Sequence, residues 1–158
     1  MATPASVMRH PIHPMLVVLP IGLWIFALVC DVVYVAHWGA EDWSSAAMYA
    51  IGGGIVGALL AAIPGLIDLM SLSHSRTKRI GVFHMVLNLV AVALFAVNFG
   101  LRLNRGVGAT PPIALTIAGV LILAVSGWLG GEMVYVHGVG VDPAGSSSAS
   151  DRHPPTAA

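Results

Sequence analysis

The chain has 158 residues, of which 57% are hydrophobic and only 9% charged, and its seven basic side chains balance seven acidic ones. A soluble domain covers its surface with roughly 25% charged residues, so this composition excludes an ordinary soluble fold and favours one solvated by lipid. The zero net charge offers no basic face for nucleic acid, and the single Cys30 allows neither an internal disulfide nor a C-x-x-C-H haem attachment.

At the N-terminus only Arg9 precedes the first apolar run, and no small-residue cleavage site follows a short core, so this segment is expected to be kept as a span. In His10-Pro11-Ile12-His13-Pro14 the prolines hold the chain extended before a helix begins. Pro14 suits the first helical turn, where its missing N–H costs nothing. Both imidazoles are therefore expected at the entrance of the first span, residues 14–36. Asp31, with Tyr34 near it, is expected to hydrogen-bond towards the far interface. Cys30 reads as a small apolar filler. The connection 37–45 carries Glu41 and Asp42, and Trp38 and Trp43 are expected to anchor at that membrane surface.

The second apolar run, 46–72, places Gly54, Gly57, Ala61, Pro64 and Asp68 on one face. Small residues there admit another helix or a flat cofactor, and Pro64 leaves the Leu60 carbonyl without its helical donor. The third run, 80–101, puts His84, Asn88, Ala91, Phe95, Asn98 and Arg102 in one stripe, expected to face inward. The fourth, 112–136, leads into SGWLGGEMVYVHGVGV (126–141). There Glu132 and His137 lie about 140° apart on an ideal helix, so they can meet only if the helix ends near Tyr135. Residues 142–158, rich in Pro, Ser and Ala, are expected to form a disordered tail that includes His153.

Each run is long enough to cross a hydrocarbon core of about 30 Å, which predicts an all-α, four-helix transmembrane domain over 1–141 with no sheet. Arg9, Arg76, Lys78, Arg79 and Arg152 on one side outnumber Arg102 and Arg105 on the other, so both termini are expected in the cytoplasm. His10, His13, Asp68, His84, Glu132 and His137 then fall at similar depth on four helices. Charged groups inside a bilayer cost at least about 2.5–3.5 kcal/mol each, which makes such a cluster a candidate site. Gly53/Gly57 and Gly127/Gly131 have the Gly-x-x-x-Gly spacing of close helix packing, and a homodimer is the expected assembly.

The stretches RHPIHPMLVVLPIGLWIFALVCDVVY (9–34), IPGLIDL (63–69), GVFHMVLNLV (81–90) and 126–141 resemble the bacterial predicted membrane protein family called domain of unknown function 2231. The resemblance implies a four-span protein of the bacterial inner membrane. It assigns no activity, although some members carry Rieske-type domains, which by association implies redox work. This chain lacks the Cys and His pairs of such a cluster.

No G-x-S-x-G, Ser-x-x-Lys, H-E-x-x-H or phosphate-binding Gly-Lys loop occurs, so hydrolysis and acyl transfer find no support, and enzymatic activity stays open. Three readings remain. In the first, a b-type haem is held by imidazoles of different helices, His84 with His13 or His137 and with His10 at hand. Its propionates pair with Arg79 or Arg9, and it exchanges electrons with quinone or a redox partner protein. In the second, His10, His13, His84 and His137 with Asp68 and Glu132 bind Zn, Cu or Fe. In the third, the histidines form a structural network in an accessory membrane protein.

Overall fold

A computed structural model describes residues 3–8, 10–73, 75–106 and 109–141; the segment 142–158, Arg9 and Arg152 lie outside the described residues. Four helices carry the fold: α1 (Ile12–Val35), α2 (Asp42–Ser71), α3 (Ser75–Arg105) and α4 (Ile113–Tyr135). All four are long and apolar enough to span a membrane. The observed α3 outruns its apolar core at both ends, because backbone hydrogen bonding continues through the polar turns at Arg76–Arg79 and Arg102–Arg105.

One expectation is corrected. The N-terminal segment is not free of sheet, since β1 (Ser6–Val7) and β2 (His10–Pro11) form a two-residue antiparallel ladder. The proline-held extended backbone predicted there supplies the second strand. The ladder folds back over the start of α1, where Ile12 N–H donates to Ala5 O at 3.0 Å.

The helices pack as two hairpins, α1 on α2 and α3 on α4, with fewer contacts between hairpins than within them. The hairpins match each other in register. A shift of 71 residues carries His13 to His84, Trp24 to Phe95 and Asp31 to Arg102, while a shift of 65 carries Gly54 to Gly119, Ala61 to Ser126 and Gly65 to Gly130. Equivalent residues also meet each other. The His13 and His84 rings are 6.2 Å apart, Trp24 stacks on Phe95 at 4.2 Å, and Arg102 pairs with Asp31 at 2.7 Å. A residue touching its own counterpart is the signature of an isologous, twofold contact. The bundle thus has an approximate twofold axis running between its hairpins, and these three pairs lie along it.

The central level is the apolar core. Trp24 and Phe95 are 2% and 0% exposed, and each lies over a glycine of its own hairpin, Gly54 and Gly119. A Cβ at either glycine would meet the ring at under 3 Å, so this close approach requires glycine. The outward faces carry exposed Val, Leu, Ile, Phe and Met side chains, as lipid contact demands.

Candidate functional site

The expected inward stripe of α3 is observed: Ala91, Phe95, Asn98 and Arg102 are buried, and His84 and Asn88 half-buried above them. On α2 the expected face of Gly54, Gly57, Ala61, Pro64 and Asp68 is buried as well. The two stripes position one imidazole pair at the end of the bundle that holds the N-terminal ladder.

Each imidazole is fixed by its own hairpin. His13 Nδ1 lies 2.8 Å from Ala61 O on α2, and His84 Nδ1 lies 2.8 Å from Ser126 O on α4. A carbonyl oxygen only accepts, so in both rings Nδ1 carries the proton and donates, which leaves Nε2 with the lone pair. The seats are equivalent down to their glycines. A Cβ on Gly65 would come within 2.7 Å of His13 Nδ1, and one on Gly130 within 3.3 Å of His84 Cε1. Pro64, with no N–H for the carbonyl of Leu60, loosens the helical ladder beside the Ala61 seat. At the other seat the Ser126 hydroxyl lies 2.9 Å from His84 Nδ1, and Asn88 Nδ2 donates to His84 Nε2 at 3.0 Å and to His84 O at 2.9 Å.

This arrangement is the one used to orient imidazole ligands: Nδ1–H on a carbonyl fixes tautomer and ring, and Nε2 is presented to a metal. His13 Nε2 is available. His84 Nε2 accepts from the Asn88 amide, which also bonds the His84 carbonyl. The closer glycine seat gives a measurable difference between the hairpins. Gly65→Ala is expected to push the His13 ring off Ala61, whereas Gly130→Ala needs only a few tenths of an ångström of adjustment. Imidazole Nδ1–H chemical shifts in detergent would report it, and an unchanged His13 resonance in Gly65→Ala would contradict the seat.

The other expected ligands do not join the pair. Asp68 Oδ1 accepts the Ala5 backbone N–H at 3.0 Å and so pins the N-terminal ladder to α2. His10 is exposed and bonded to Met8 O at 2.9 Å, and Arg79 is exposed. α4 ends at Tyr135, where Gly138 at φ +65° helps turn the chain back, and His137 Nε2 then lies 3.9 Å from Glu132 Oε1. Among the described residues no three His, Cys, Asp or Glu side chains gather where they could hold a metal ion.

The strongest polar constellation lies at the opposite end, where the sequence pointed to Asp31 and to the inward Asn98 and Arg102 without joining them. Arg102 Nη2 bonds both Asp31 oxygens at 2.7 Å, Arg102 Nε donates to Asn98 Oδ1 at 2.7 Å, and Thr116 Oγ1 donates to Asp31 Oδ2 at 2.8 Å. Asn98 Nδ2 closes the ring on Thr116 Oγ1 at 2.8 Å. Asp31, Asn98 and Thr116 are fully buried. Arg102 therefore serves the bundle interior rather than the loop in which the charge bias counted it. The available signal was the register: Asp31 stands 18 residues after His13, and Arg102 stands 18 after His84.

A family model described as "Predicted membrane protein (DUF2231)" matches residues 9–143. No curated protein and no solved structure matches the chain.

Proposed function

The chain belongs to the DUF2231 family of predicted membrane proteins, and we propose that this bundle carries a b-type haem between His13 and His84 and passes single electrons. The observation behind this reading is the imidazole pair itself, with ring centres 6.2 Å apart and each Nδ1–H held by a carbonyl. An iron bonded to two imidazole nitrogens at about 2.0 Å holds the ring centres about 6 Å apart. Haem iron also asks only two ligands of the protein, whereas a structural or catalytic zinc asks three or four. Two is what one chain brings together here. His13 and His84 face each other across the seam between the hairpins and would hold the group there. Held by these two imidazoles, the group would supply one-electron transfer to a quinone or a partner protein.

The test is to purify the protein in detergent from cells fed a haem precursor, then record optical and EPR spectra together with a metal analysis. A sharp Soret band that shifts on reduction is expected. The rings stand 87° apart, so the ferric low-spin EPR signal should be of the highly anisotropic kind given by perpendicular imidazoles. Stoichiometric Zn or Cu without haem would favour instead a transition metal, of the kind the second reading expected, held by His13 and His84. Protein free of both haem and metal would refute the pair as a cofactor site.

A further inference from the structure

A second site emerges where α2 begins, α3 ends and α4 begins. A notch there is lined by Ser44, Met48, Arg102, Arg105, Thr110 and Pro112. Arg102 is 6% exposed, and its Nε and Nη2 are committed to Asn98 and Asp31, yet Nη1 is buried without a partner. An unpaired donor on a buried charged group is costly, so an acceptor is missing. The charges decide its sign. Asp31 already neutralises Arg102, while Arg105 has no ion pair among the described residues, and the lining includes neither Glu41 nor Asp42. The notch therefore carries an excess of about one positive charge, flanked by the hydroxyls of Ser44 and Thr110.

Depth and size narrow the ligand. The notch lies at the helix ends, on the side where exposed Trp38 and Trp43 mark the headgroup layer. Its free volume is about 10 Å³, room for one oxygen-sized atom but not for a whole anion. We propose that the notch seats one oxygen of a phosphate monoanion, the rest of which remains in the headgroup layer. Arg105 and Thr110 meet the anion at the rim, and Arg102 forms the floor. A phospholipid phosphate and a free phosphate share this chemistry.

Native mass spectrometry of the full chain, exchanged into nanodiscs that contain phosphatidylglycerol and diacylglycerol with the same acyl chains, tests the site. The wild type is expected to retain phosphatidylglycerol over diacylglycerol. Arg105→Gln should reduce that retention about tenfold, the loss of one charge-assisted hydrogen bond, and Thr110→Val should reduce it less. Both positions lie outside the buried Asp31 ring, so folding should survive. If delipidated protein is stabilised by inorganic phosphate in an Arg105-dependent way but shows no lipid preference, the site stands and its ligand is the free ion. Equal retention of the two lipids with no phosphate effect, or retention unchanged in Arg105→Gln, would overturn it.

Discussion

Asp31→Leu is expected to destabilise the bundle by about 3–5 kcal/mol, the cost of stranding one member of a buried ion pair. Asp31 is fully buried and accepts from both Arg102 and Thr116, so its removal leaves a guanidinium and a hydroxyl without their acceptor. That guanidinium is only 6% exposed, so the N–H groups that lose Asp31 are left buried and unpaired. The pair also joins the two hairpins, so its loss should loosen their contact before either hairpin unfolds. The partner substitution Arg102→Leu should cost a similar amount. The double variant Asp31→Leu/Arg102→Leu should recover most of the loss, because apolar replacements of buried ion pairs are often neutral. Denaturant unfolding in mixed micelles gives the three values. A double variant no more stable than the singles would show that the effect is local to each residue and not a property of the pair.

His84→Ala should abolish the haem spectrum, and His13→Ala should do the same, since the proposed haem would be held by both imidazoles. Loss of one axial ligand weakens binding by at least the 10–100-fold typical of losing an outer-shell partner, which is enough to empty the site during purification. His10→Ala and His37→Ala should leave the spectrum unchanged. His10 is exposed and bonded only to Met8 O, and His37 lies in the connection beyond the far end of α1. The His13 and His84 variants should still fold, because each half-buried imidazole hydrogen-bonds only within its own hairpin and not across the seam. Full haem occupancy in a well-folded His84→Ala protein would exclude the pair as the ligand set.

The sequence by itself determined the solvent, the span count and the inward faces. Long apolar runs cannot be hidden in water, and helical periodicity alone places His84, Asn88, Ala91, Phe95, Asn98 and Arg102 on one stripe. It also located both imidazoles at one end of the bundle, because span direction fixes depth. Which polar groups meet was decided only by the tertiary structure. Depth grouped His13 and His84 with Asp68, Glu132 and His137, but rotation about each helix axis and the choice of neighbour separate them. Asp68 turns to the Ala5 backbone, and His137 is carried back to Glu132 by the turn at Gly138. The Asp31–Arg102 pair likewise depends on α1 and α3 facing each other diagonally across the bundle, where side chains rather than backbones meet, which hydropathy does not encode. The correspondence between the hairpins was written in the chain as a 71-residue shift from α1 to α3 and a 65-residue shift from α2 to α4. Few residues are identical across it, so its meaning becomes visible only when each residue is found beside its own counterpart. A twofold contact needs matching shape and charge at the axis, and that constrains three pairs of positions while leaving the rest of each hairpin free to differ.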